Sequence, residues 1–201
     1  MQLKQINILD LLAAYNAETC KAILSTFLCP LNKDVEDFIH TKAIDFAIQR
    51  IAITFLTFIE TDTGPVFAGY YTLSNKFITI SGNMLSKTLQ KKISKFSQYD
   101  SQSKCYHISM PLIAQLGKNF SSPSIQHSLT GSHLLTLACN RVIQVQKLIG
   151  GKTTYIECNS NAKLYDFYSQ NNFYQFGQRE NNNNNLTDNQ IFIQMLKYLK
   201  D

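Results

Sequence analysis

At 201 residues the chain is long enough to bury a substantial core in one domain, and its hydrophobic share of 44% is that of an ordinary globular protein with a mild net charge of +5. Five cysteines, odd in number and without CxxC spacing, exclude a disulfide framework and a zinc ribbon; Cys139 and Cys158 read as small buried hydrophobes. The longest apolar run, residues 51–59, is too short to span a bilayer, and the amino terminus lacks the charged and apolar regions of a signal peptide, so a cytoplasmic protein with no membrane partner is expected. Residues 7–28 read as one or two helices, with Leu11, Leu12, Tyr15, Cys20, Ile23 and Leu24 at helical spacing and Pro30 as the breaker. Val35, Phe38, Ile39, Ala43, Phe46 and Ala47 carry a second helical period to about Arg50, behind Asp34, Glu36 and Asp37, where the dipole favours acids. The period then switches to two. Residues 51–60 and 66–73 are predicted to pair as a hairpin around Asp62-Thr63-Gly64-Pro65, with 77–80 as a further short strand. Residues 83–97 are predicted to form a basic helix with Lys87, Lys91, Lys92 and Lys95, a solvated face or a patch for an anionic partner such as RNA; residues 97–103 read as a polar loop.

Residues 106–110 and 112–116 form an extended segment interrupted by Pro111, which belongs at an edge or bulge where backbone groups are exposed. Gly117, just after, is expected to let a ligand approach the backbone. From Ser132 a long helix places Leu134, Leu135, Ala138, Val142, Val145 and Ile149 on one face and stops at Gly150-Gly151. A strand over 154–158 follows, then Asn159-Ser160-Asn161 as N-cap residues for a helix over 162–170, on which Leu164, Phe167 and Tyr168 share a face. A short strand over 173–176, an asparagine-rich loop over 180–185 and a final strand over 190–198 complete a mixed α/β order. A strand that turns into a helix N-terminus aligns N–H groups without intrahelical partners, and with the helix dipole these make an anion site. The next strand and short helix bring a phenol. A phosphate-bearing cofactor with a proton donor beside it is the resulting expectation.

Residues 108–176 resemble the catalytic half of the GNAT acetyltransferases, which move an acetyl group from acetyl-CoA to an amine. Gln126-His127-Ser128-Leu129-Thr130-Gly131 is similar to that superfamily's Arg/Gln-x-x-Gly-x-Gly/Ala loop, with Leu129 in place of the first glycine. Asn161 and Phe167-Tyr168, followed by Asn172-Phe173, resemble its later Asn…Tyr…Gly-Phe pattern, with Asn172 in place of glycine; asparagine tolerates the left-handed backbone well. Phe27-x-Cys29, the helix with Phe38-Ile39 and Ala43, and Gly69-Tyr70-Tyr71-Thr72-Leu73-Ser74 look like the GNAT proteins of toxin–antitoxin systems. Their strand arginine is absent from Ile113-Ala114-Gln115-Leu116-Gly117-Lys118.

The resemblance implies one GNAT-like acyltransferase domain over residues 1–201, with a central mixed, mostly antiparallel sheet, a splayed strand pair and flanking helices. It implies acetyl-CoA as cosubstrate, bound by Leu116, Gly117, Lys118, Ser128, Leu129, Thr130, Gly131, Ser132 and Asn161. Tyr168 is the expected general acid toward the leaving thiolate, and Tyr70 and Tyr71 are expected on the acceptor side. For the general base, Glu157, His107, His127 and a water chain stand as alternatives. The expected activity is direct acetyl transfer to a primary amine in a ternary complex. The alternatives are a toxin-type transferase acting on aminoacyl-tRNA and a non-catalytic module that binds CoA. Dimers are common among such enzymes, so a homodimer fits the same resemblance.

Overall fold

Local signals set most element boundaries in the computed structural model, which describes residues 2–122, 128–180 and 191–200. The first three helices each start at an asparagine: Asn7 before α1 (Ile8–Ala14), Asn16 before α2 (Ala17–Ser25) and Asn32 before α3 (Lys33–Thr41). Each side-chain oxygen accepts an N–H of the first turn, which the helix itself cannot satisfy. The single helix expected up to Arg50 is two, α3 and α4 (Ala43–Ile48), with Lys42 between them at a φ of −119°, stretched from the ideal helical value. A strand the periodicity did not announce, β1 (Leu3–Asn7), precedes α1 and pairs antiparallel with β2 (Ile53–Thr61).

The hairpin forms as expected. Gly64, at φ +113°, opens β3 (Gly64–Ser81), which also absorbs the short strand expected over 77–80. A single 3-10 turn (Gly82–Met84) leads to α5 (Lys87–Ile93), shorter than the basic helix expected. β4 (Gln98–Asp100) lies where a polar loop was expected, held by its ladder with β5 (Cys105–Lys118). β5 runs on through Pro111, whose carbonyl accepts the Thr154 hydroxyl at 2.9 Å. Then follow α6 (Gly131–Ile149), β6 (Thr153–Asn159), α7 (Ala162–Gln170), β7 (Tyr174–Glu180) and β8 (Ile191–Tyr198). Most of the expected asparagine loop lies outside the described residues.

The strands are ordered β1-β2-β3-β5-β6-β8-β7, with β4 on β5, in a mixed and mostly antiparallel sheet. β5 and β6 are parallel, and their ladder consists of the single pair Leu112↔Tyr155. The chain folds as two compact units, one of Met1–Ser74 with Ala114–Ala138, the other of Asn75–Ile113 with Cys139–Asp201. In the first, Leu56, Phe58, Phe67 and Tyr70 on one sheet face meet Ile8, Leu24, Phe27, Val35, Phe38 and Ile39 from the helical segment. In the second, Ile108, Met110, Tyr155, Ile156, Phe176, Met195 and Leu196 are buried, with Cys139 and Cys158 among them as the sequence suggested. Among the described residues no helix is long and apolar enough to cross a membrane.

Candidate active site

The first unit holds the end of β5, the residues that open α6 and the two tyrosines expected on the acceptor side. A Cβ built on Gly117 would lie 2.5 Å from Val35 Cγ1, 2.8 Å from Phe27 Cζ and 3.1 Å from Tyr70 Cε1. The glycine expected to admit a ligand admits the core instead, since side chains from α3 and the segment before it close over the strand there. Strand alternation turns Leu116 and Lys118 to the opposite face. The Lys118 ammonium lies 5.3 Å from the centre of the Phe120 ring.

Tyr70 and Tyr71 are fully buried. The Tyr70 hydroxyl donates to the Val35 carbonyl, and its ring stands edge-on to Phe27 at 5.1 Å. Burial, and then the nearby Cys29, push its phenol well above the ordinary tyrosine range. Tyr71 stacks on Phe55 with ring centres 5.3 Å apart. Adjacent strand residues face opposite sides, and both sides are covered here. The two tyrosines are therefore core residues, which corrects the expectation that they line an acceptor surface.

Leu129, the departure from the family loop, is fully buried, and its Cδ2 lies 3.3 Å from a Cβ built on Gly69. The missing side chain at Gly69 makes room for the leucine to turn inward onto β3. Thr130 caps α6: its hydroxyl accepts the His133 N–H and its carbonyl the Leu134 N–H, both at 3.1 Å. Ser128 is half-buried, while Gly131 and Ser132 begin a 19-residue helix whose dipole favours an anion at this end.

The second unit holds Asn161 and Tyr168. Asn161 is the N-cap of α7: its Oδ1 accepts the Lys163 N–H at 2.9 Å and its carbonyl the N–H groups of Leu164 and Tyr165. The geometry gives it the part of starting the helix that carries Tyr168, seven residues on and on the same side. The helix then closes in a Schellman motif. Phe173 N–H bonds to the Tyr168 carbonyl and Asn172 N–H to that of Ser169, both at 3.0 Å, with Asn172 at φ +63° as its substitution for glycine required. The apolar contact of that motif is Phe173 edge-on to Tyr168 at 5.8 Å, while Phe167 meets the same ring at 5.0 Å. Two asparagines thus fix Tyr168 from both ends.

Tyr168 is 9% exposed, and among the described residues its hydroxyl makes no hydrogen bond. Burial first, and Cys158 second, hold its phenol pKa above the ordinary value. Of the three side chains weighed as base, Glu157 is engaged on both oxygens, by Arg179 Nη2 at 2.7 Å and Gln194 Nε2 at 2.9 Å. Through these bonds Glu157, on β6, ties β7 and β8 to its own strand. His107 Nδ1 is bonded to Thr79 Oγ1 at 3.0 Å, and His127 lies outside the described residues.

Asn119 went unnoticed in the sequence. It is 1% exposed; its Oδ1 accepts the N–H groups of Leu28 and Ser121, and its Nδ2 donates to the carbonyls of Phe67 and Thr26. It ties the end of β5 to β3 and to the segment before α3. A polar residue directly after a strand was its one visible signal.

No protein-family model and no curated protein matches the chain. Solved structures do. AtaT complexed with acetyl-methionyl-tRNAfMet aligns at a TM-score of 0.64 and 20% identity, over 96% of this chain and 94% of that one. KacT with one tyrosine changed to phenylalanine aligns at 0.64 and 23%, again over 96% and 94%. AtaTR bound with AcCoA aligns at 0.59 and 22%, over 94% and 92%. The chain has the fold of AtaT and KacT.

Proposed function

We propose that the protein is an acetyl-CoA-dependent N-acetyltransferase whose acceptor is the amine of an aminoacyl-tRNA. The observation that carries the chemistry is Tyr168, a buried phenol clamped between two helix caps with its hydroxyl uncommitted. AtaT complexed with an acetyl-aminoacyl-tRNA, and AtaTR with AcCoA, support the substrate pair. Bound acetyl-CoA supplies a thioester whose acetyl carbon takes a bond from the attacking amine as the C–S bond breaks and a thiolate leaves.

The backbone amides of residues 128–132 hold the pyrophosphate, aided by the dipole of α6. The amide of Leu116, at the end of β5, donates to the carbonyl oxygen as charge grows on it. Tyr168 serves the sulfur. Its pKa is raised above ~10, whereas an alkyl thiol has ~8.5, so complete proton transfer would run uphill. The phenol therefore stabilises the leaving thiolate as a hydrogen-bond donor, protonated throughout the physiological range. The amine's surplus proton leaves to water.

Purified protein, acetyl-CoA and methionyl-tRNA are mixed and free thiol is followed, with a panel of small amines in parallel. Thiol release with the charged tRNA supports the reading, and release only with small amines moves the acceptor to another class. Acetyl-CoA binding without thiol release under any condition would make the protein a CoA-binding module.

A further inference from the structure

We propose that the open sheet face around Phe77 and His107 is a stacking platform for an unpaired base of the RNA acceptor; this rests on the aminoacyl-tRNA reading above. Along β3, Asn75, Phe77 and Thr79 alternate with Ile78 and Ile80; along β5, His107 and Ser109 alternate with the buried Ile108 and Met110. Cross-strand bonds join the two outer rows: Asn75 Nδ2 donates to Ser109 Oγ at 2.9 Å, and Thr79 Oγ1 pairs with His107 Nδ1 at 3.0 Å. Between these bonds the Phe77 and His107 rings lie within 4° of parallel, with centroids 6.0 Å apart. Phe77 is nevertheless 71% exposed. A ring so exposed contributes little to the core, yet its orientation is matched to that of its neighbour.

Charge gathers in the same segment. Residues 75–113 contain six lysines (Lys76, Lys87, Lys91, Lys92, Lys95 and Lys104) and one acid, Asp100; the other 162 residues hold thirteen basic and thirteen acidic side chains. The whole net charge of +5 thus falls on the stretch that builds the platform. The Asp100 carboxylate is taken up by the Ser103 hydroxyl at 2.6 Å and the Gln102 N–H at 2.9 Å. Cations for a phosphodiester backbone, a flat π-face for a base and amide and hydroxyl groups at its edges are the means by which single-stranded nucleic acid is held. A polar border of Asn75, Thr79 and Ser109 suits the edges of a base better than an apolar protein partner.

The chain has no tryptophan, so Phe77→Trp installs a single indole reporter. A single-stranded RNA oligonucleotide is expected to quench its fluorescence, and an abasic oligonucleotide of equal length to leave it unchanged. Phe77→Ala is expected to weaken oligonucleotide binding about five- to 150-fold, the worth of one stacked base, with acetyl-CoA affinity as in the unmodified protein. Equal oligonucleotide affinity before and after Phe77→Ala, or equal quenching with and without bases, overturns the platform. So does a Phe77→Ala protein that differs only in sedimenting as a smaller species, which reassigns the face to contact between copies. Phe77-dependent binding of RNA without acetyl transfer to charged tRNA would sink the activity and keep the platform; transfer indifferent to Phe77 would do the reverse.

Discussion

Tyr70 and Tyr168 are both buried phenols, one in each compact unit, and burial raises the pKa of both. They differ in what their hydroxyls do. Tyr70 spends its proton on the Val35 carbonyl and packs among Phe27 and Phe38. Tyr168 is held as firmly, by caps and by Phe173, yet keeps its hydroxyl uncommitted among the described residues. Burial alone does not separate a structural phenol from a chemical one. The partner of the oxygen does, because a phenol already bonded to a carbonyl has no donor left for a substrate.

The sharpest way to break that contrast is to remove each hydroxyl. Tyr168→Phe is expected to lower the acetyl-transfer rate about 10²- to 10⁴-fold in single-turnover measurements, with acetyl-CoA affinity unchanged. Tyr70→Phe is expected to leave that rate alone and to cost about 1 kcal/mol in urea unfolding, one neutral hydrogen bond. A matching loss of rate in both variants would erase the distinction. The packing around Tyr70 is probed by Asn119→Ala, which strips the partners from Leu28, Thr26 and Phe67 and should cost about 3 kcal/mol in the same titration. Gly117→Ala drives a methyl group into Val35 and Phe27 and should cost about 1–3 kcal/mol; a neutral result would mean the strand moves freely, as a ligand-approach glycine would allow.

The smallest effect is alkaline. A tyrosine whose folded pKa is raised contributes stability that is complete below its unfolded value of ~10 and is lost as pH rises beyond it, because only the unfolded chain then gives up the proton. Unfolding midpoints should therefore fall more steeply above about pH 10 in the unmodified protein than in Tyr168→Phe. Parallel curves would show Tyr168 ionising as freely as an exposed phenol.

Elements with strong local signals were legible from residues alone. Asparagine caps, the stop at Gly150-Gly151 and the helix Ala162–Gln170 follow from contacts within a few residues, and so does the left-handed Asn172. Elements that depend on partners far along the chain were not. β1 and β4 are short strands without a marked pattern, and they exist because β2 and β5 offer them a ladder. Gly117 shows the limit within the candidate site: a glycine reads as freedom, and only the neighbours reveal whether a ligand or the core uses it.

Sequence by itself determined the mixed α/β order, the loop and Asn–Tyr patterns that resemble the acetyltransferases, and the caps that hold Tyr168, since these rest on capping, periodicity and turn chemistry over short spans. Tertiary structure decided that Tyr70 and Tyr71 are core, that Leu129 folds inward onto Gly69, that Glu157 is committed to Arg179, and that Phe77 lies open beside His107. A side chain's part is set by which atoms surround it, and those atoms come from residues tens of positions away.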